Sequence, residues 1–173
     1  MHFELKVNDM RWMNGMVDDP ADLCLHGKAY VKIGDTVLDD GTANDWAVSA
    51  GAYRMLESLY KNHIKGREEH LLPCCGHFMF IYEKTDSLII TGCPKGIDWS
   101  IVHENGTVKI SSDTNAQAVI PFEDYKAIVF GFADTVKSFY DNCSPKNSQD
   151  AFENQAYQRF WENWRKIRSG VFV

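Results

Sequence analysis

The sequence predicts an α+β fold: a mainly antiparallel sheet of about six strands with three helices packed on it, in the order β-β-(β)-α-β-β-β-β-α-α. Three observations lead there. Segments of alternating polarity come in runs joined by short turns, one of them the Asn105-Gly106 pair that favours a two-residue hairpin. Three longer stretches carry apolar residues at three- and four-residue spacing, the period of a helix with one buried face. Strands and helices are grouped, without the strict alternation of a parallel sheet. A chain of 173 residues supports one sizeable core, so 1–173 is read as a single globular domain.

Residues 2–12 alternate as a first strand, with Phe3, Leu5 and Val7 on one face and His2, Glu4, Lys6 and Asn8 on the other. Asn14-Gly15 and Asp18-Asp19-Pro20 supply turn chemistry. Leu23, Leu25, Gly27, Ala29, Val31 and Ile33 form a second alternating set, and Gly34-Asp35 turns the chain into a short strand at Thr36-Val37-Leu38. Asn44 or Asp45 can cap a helix over 46–63, because a short polar side chain there accepts from the first free amides. Its positions Val48, Ala52, Met55, Leu56, Leu59, Tyr60 and His63 make an apolar stripe expected to lie on the sheet. Gly66 stops it.

After Pro73 the run from His77 to Tyr82 is largely apolar on both faces, which predicts a strand in the centre of a sheet, or one with a face under the helices and the other under a second layer. Residues 88–91 return beside it. Across Asn105-Gly106, Ile101 is expected to face Ile110 and His103 to face Val108. Pro121 opens a long helix through Tyr125, Ile128, Val129, Phe132, Ala133, Val136, Phe139 and Tyr140, which Ser144-Pro145 ends. Gly131 inside it weakens the helix by roughly 1 kcal/mol relative to alanine and is expected to allow close approach to the sheet. Asp150 and Glu153 resemble a capping box for a last helix. Its stripe of Tyr157, Phe160, Trp161 and Trp164 is read as a packing face, with a partner-binding face as the alternative.

The apolar (45%) and charged (24%) fractions fit a folded globular chain and argue against disorder. No run approaches the roughly 18 apolar residues of a membrane span, and the first residues lack the apolar segment of a secretion signal, so a cytoplasmic protein without membrane partners is expected. Five cysteines without framework spacing are read as reduced thiols. The net charge of −6 is concentrated in 18–45, where Asp18, Asp19, Asp22, Asp35, Asp39, Asp40 and Asp45 stand against Lys28 and Lys32. Such a segment disfavours nucleic acid, whose phosphates need lysine and arginine; it is read as a solvated acidic loop region or, where a charged partner exists, as favouring a basic protein.

Two constellations could carry chemistry. His70, Cys74, Cys75, His77, Cys93 and His103 offer the sulfur and nitrogen atoms that tetrahedral zinc prefers. Adjacent residues on an extended chain point to opposite faces, which sets Cys74 apart from Cys75 and leaves Cys75, His77, Cys93 and His103 as the zinc alternative. A three-residue loop after Glu83 would put His77 opposite Cys93. A nucleophilic Cys74 or Cys75, with His77 or His103 as base and Asp98 orienting it, is the second, and no spacing selects it. Packed, reduced cysteines without a cofactor are the simpler reading, and enzymatic activity is not expected.

The segments Asp22-Leu23-Cys24-Leu25-His26-Gly27, Asp45-Trp46-Ala47-Val48-Ser49-Ala50, Leu72-Pro73-Cys74-Cys75-Gly76-His77, Gly96-Ile97-Asp98-Trp99 and Phe160-Trp161-Glu162-Asn163-Trp164 resemble pieces of small bacterial proteins grouped with the immunity proteins of contact-dependent and other polymorphic toxin systems. The resemblance implies an inhibitor that binds a cognate toxin domain through protein-protein contacts. The acidic segment 18–45 would then steer a basic toxin. The alternative is a thiol- or zinc-dependent enzyme or metalloprotein centred on Cys75, His77 and Cys93.

Overall fold

The first strand, β1 (Phe3–Arg11), buries Phe3 and Leu5 and leaves Lys6 in solvent, as its alternation requires. It pairs antiparallel with β2 (His26–Ile33), whose Ala29, Val31 and Ile33 are fully buried. On the other side of β2 lie β3 (Thr36–Asp40) and the short β4 (Trp46–Ala47). These positions come from a computed structural model that describes residues 2–15, 17–76 and 78–171.

Helix α1 (Val48–Glu57) is shorter than the periodicity over 46–63 implies. Trp46 belongs to β4, and the last stripe residues lie beyond the helix end. Neither Asn44 nor Asp45 caps it. Ala47 holds the N-cap position, while Asn44 donates to Asp39 (3.0 Å) and Asp45 pairs with Arg11 (2.8 Å). Every residue from Val48 to Leu56 is buried, so α1 does not lay one stripe on a sheet but runs through the interior against β2, α2 and α3. Small residues permit this. A Cβ on Gly51 would lie 2.5 Å from Leu72 Cδ2 and 3.1 Å from the Leu71 carbonyl oxygen, so only glycine lets β5 (Leu72–Pro73) cross the helix there.

The run after Pro73 is not a central strand; one of its faces lies under a helix, as the alternative has it, but no second layer covers the other among the described residues. β6 (Phe78–Tyr82) pairs only with β7 (Ser87–Thr91) among the described residues, as a two-stranded ribbon. Its inner face, Met79 with Leu88 and Ile90, is buried against α3 (Ala151–Arg168). Its outer face carries Phe78, 61% exposed, and Tyr82, 43% exposed. Apolar residues on both faces therefore mark one buried side and one that meets water.

The Asn105-Gly106 hairpin forms as expected between β9 (Ser100–Glu104) and β10 (Thr107–Ser111), with Ile101 opposite Ile110 and His103 opposite Val108. Asn105 (φ 48°) and Gly106 (φ 79°) both take the left-handed backbone that the tight turn needs. A third strand, β11 (Gln117–Pro121), joins β10 in a stretch to which the sequence reading assigns no element. Its alternation is clear, with Ala118 and Ile120 buried and Gln117 and Val119 exposed, but it is short and abuts a strong helix signal.

That helix, α2 (Phe122–Asp141), starts directly after Pro121 and buries Tyr125, Val129, Phe132, Ala133, Val136 and Tyr140. Gly131 faces solvent, and a Cβ there would meet nothing within 4 Å, so it is not a point of close approach. Asp150 caps α3 by accepting from the amides of Phe152 (2.7 Å) and Glu153 (3.0 Å). The return link of the capping box runs through Ser148, whose hydroxyl accepts from the Asp150 amide (3.1 Å) and donates to Glu153. Phe160 and Trp164 are buried while Tyr157 and Trp161 pack on the core edge, so the aromatic stripe is a packing face.

The architecture is α+β with antiparallel pairing throughout the described strands, distributed over a four-stranded, a three-stranded and two two-stranded sheets instead of one. Two substitutions check the helix assignments. Gly131→Ala should raise stability by about 1 kcal/mol and Asp150→Ala should lower it by about the same amount. Both should appear as shifts in the urea midpoint at constant m-value. A destabilised Gly131→Ala protein would contradict the open space at that position.

Candidate functional site

The cysteines are brought together by a short ladder. Leu72 pairs with Ile97 and Pro73 with Gly96, joining β5 to β8 (Gly96–Ile97). Contact continues beyond it: the Cys74 amide donates to the Lys95 carbonyl (2.9 Å) and the Cys93 amide to the Cys75 carbonyl (3.3 Å). A Cβ on Gly92 would lie 1.9 Å from the Cys75 carbonyl oxygen, a separation no side chain tolerates. Glycine at 92 is thus a condition for the two segments to meet.

The result overturns the separation of Cys74 from Cys75. The chain bends at Cys74, so the two side chains do not diverge as on an extended strand, and their sulfurs lie 4.0 Å apart. With Cys93 they form a group whose sulfur atoms all lie within 4.8 Å of one another. The Cys93 amide also donates to the Cys75 sulfur (3.3 Å). Hydrogen bonding between Cys74 and Cys93 pushes the Cys74 thiol up to about 12 and holds that of Cys93 below its ordinary value; a backbone contact with Lys95 adds to the second shift.

Two other expected ligands, His103 and His70, lie outside this group. His103 has its Nε2 2.7 Å from the Ser58 carbonyl oxygen, and its ring packs on Phe122 and Tyr125. The His70 carbonyl accepts from Arg54. His77, and with it the expected pairing with Cys93, lies outside the described residues. Cys24 is buried at the edge of the group, 3.5 Å from the Gly76 carbonyl, and burial pushes its thiol up to about 12.

Asp98 serves a histidine and not a thiol. Its buried carboxylate faces His63 Nε2 at 2.8 Å and accepts from the amides of Leu71 (3.1 Å) and Gly66 (3.3 Å). Glu68 approaches the other ring nitrogen at 3.3 Å. This cluster borders a cleft of ≈ 240 Å³ that also holds Glu57, whose carboxyl burial pushes up against the pull of Lys61. Periodicity placed His63 on an apolar stripe; its partner lies 35 residues away, and no local pattern marks the pair.

Most of the acidic segment is engaged internally. Asp18 accepts from the Ser144 amide and Lys146 Nζ, both at 2.6 Å, and Lys146 in turn lies over the Trp12 ring at 3.5 Å. Asp19 accepts from the Ala21 amide (2.9 Å), and Asp22 from the amides of Met13 (2.6 Å) and Cys24 (3.2 Å). Asp39 is buried beneath Gly41, Asn44 and Trp46, all of which donate to it, and Asp45 holds Arg11. Asp35 and Asp40 are exposed at the two ends of β3, Asp40 with a local bond from Thr42.

A further surface feature is apolar. Phe78, Phe80, Tyr82 and Ile89 share the outer face of the β6–β7 ribbon, with the Phe78 and Phe80 rings 5.7 Å apart. Because residues 78–82 are apolar on both faces, the sequence does not show which of the two is exposed.

Comparison with protein-family models, with characterised proteins and with solved structures finds no match to this chain. No helix among the described residues is long and apolar enough to cross a membrane.

The Asp18 contacts give a pH test. Hydrogen bonds from Lys146 and Ser144 lower its carboxyl from 3.8 to about 2, so the folded state binds this proton less readily than the unfolded chain. The stabilisation is complete above about pH 4 and is lost as pH falls towards about 2. Urea unfolding across that interval should be less steeply pH-dependent for Asp18→Asn than for the parent chain. Equal slopes would remove the tie from the acid response.

Proposed function

We propose that this protein is an immunity-type binding protein that neutralises a cognate bacterial toxin domain in the cytoplasm through protein-protein contacts. The observation that carries the reading is the outer face of the β6–β7 ribbon. Phe78 and Tyr82 stand in solvent beside the half-buried Phe80 and Ile89, on a supported element whose outer face covers no core. Contiguous exposed apolar surface of this kind marks interaction sites, and aromatic side chains supply large contact area while freezing only two side-chain torsions. The ribbon edges pair with no further strand among the described residues, which leaves backbone groups for a partner as well.

The partner has an apolar pocket for these rings and a basic surface nearby. Asp35 and Asp40 contribute long-range attraction to such a surface, whereas the buried Asp39 cannot be reversed without disturbing the turn it holds. The resemblance of the five sequence segments to immunity proteins names the class of partner, and the exposed ribbon is consistent with it.

The test starts from the reading frame upstream of the gene and asks whether its C-terminal domain co-purifies with this protein. Phe78→Ala and Tyr82→Ala should each weaken binding roughly 30-fold, the scale of an interface hot spot, with thermal unfolding unchanged. Unaltered affinity in both variants would exclude the ribbon as the contact. Asp35→Lys combined with Asp40→Lys should slow association and flatten its salt dependence while leaving dissociation alone.

A further inference from the structure

We propose that Cys74, Cys75 and Cys93 form a three-thiolate site for a single soft, closed-shell cation of the zinc class, seated at the neck of the β6–β7 ribbon. This inference does not depend on the partner reading.

The sulfur spacing fits. Zinc–thiolate bonds of about 2.3 Å put tetrahedral ligands about 3.8 Å apart and trigonal ones about 4.0 Å apart. Cys74 and Cys75 already stand at 4.0 Å, and the remaining separations, none above 4.8 Å, close by about 1 Å or less through side-chain rotation. Three sulfur donors select a soft ion; magnesium and calcium take oxygen. Each thiol that binds releases its proton to solvent, and three thiolates with a divalent ion leave one negative charge, which favours the neighbouring Lys95. The three cysteines are only partly buried, so an ion can reach them and a fourth position stays open to water or a small ligand.

The backbone is arranged around the same point. The ladder from Leu72 to Cys75 against Cys93 to Ile97 fixes both segments before any ion binds, and glycines at 92 and 96 remove Cβ atoms that would force them apart. Cys74 and Cys75 lie just ahead of β6 and Cys93 just after β7, so one ion would close the ribbon at its base. Such a clip restricts the chain between its ligands in the way a short disulfide does.

The experiment uses the full chain, purified without metal and kept reduced with a phosphine. Equilibrium dialysis against zinc should give one ion per chain, and cobalt in its place should show sulfur-to-metal charge-transfer absorption. Copper(I), titrated anaerobically against a chromophoric chelator, tells whether the site prefers that ion; either ion at one equivalent supports the site. Cys74→Ser, Cys75→Ser and Cys93→Ser should each weaken uptake roughly 100-fold, while Cys143→Ser leaves it unchanged. Should the serine variants fail to fold, alkylation of the parent chain with and without zinc decides: the ion should protect Cys74, Cys75 and Cys93, mapped by peptide mass. Uptake weaker than micromolar, full uptake in the serine variants, or equal alkylation with and without zinc would overturn the proposal.

Discussion

The buried carboxylate of Asp98 holds together the part of the molecule on which the rest depends. Burying a carboxylate is strongly unfavourable unless donors surround it, and here two backbone amides and an imidazole do so. Those donors come from the segment that carries the chain from α1 to β5. His63 is bound in turn to β9 by paired backbone hydrogen bonds with Ile101, 2.9 and 2.8 Å. Asp98 directly follows β8, so the same carboxylate aligns Leu71 with the start of the β5–β8 ladder. From that register follow the meeting of Cys75 with Cys93 and the point at which the ribbon leaves the core.

Helix α1 supplies the second half of the constraint. Its interior position needs small residues, and Gly51 is where β5 passes. Arg54 sits in the same helix, and its guanidinium donates to the carbonyls of His70 and of Ile90 (2.9 Å). One side chain thus fastens both the approach to β5 and strand β7 of the ribbon. A lysine would keep the charge without the planar fork that reaches two carbonyls together.

What was legible in the sequence was local. Alternation in β1 and β2, the Asn-Gly turn, the α2 stripe and the Asp150 cap all depend on residues within a few positions of one another, and each is found where the pattern puts it. The helix over 46–63 overran because Tyr60 and His63 continue the period after the chain has left the helix; His63 is buried for its bond to Asp98 and not for its apolarity. The thiol group stayed hidden for a related reason. Whether Cys74 and Cys75 diverge depends on a bend, and that bend belongs to a ladder with residues twenty positions downstream. The aspartates of 18–45 misled by composition alone: charge counts do not reveal that Asp18, Asp22 and Asp39 spend their oxygens on neighbouring amides and a lysine.

An exposed aromatic face on a two-stranded ribbon needs explanation, because such a ribbon is marginal by itself in water. Here it is held at three places. Its inner face packs on α3, its turn is gripped where Arg159 donates to the Asp86 carbonyl (2.9 Å) and carboxylate (3.0 Å), and its neck is drawn together by the β5–β8 ladder and the glycine at 92. These supports act on the inner face, the turn and the neck, and leave the outer face with Phe78, Phe80 and Tyr82 uncovered. The rings are therefore presented on a backbone that is already ordered, and a partner that covers them meets little further entropy loss from the strand itself. Core packing accounts for Met79, Leu88 and Ile90 on the inner face, and the rings opposite them are held outward by the rigid support behind the ribbon.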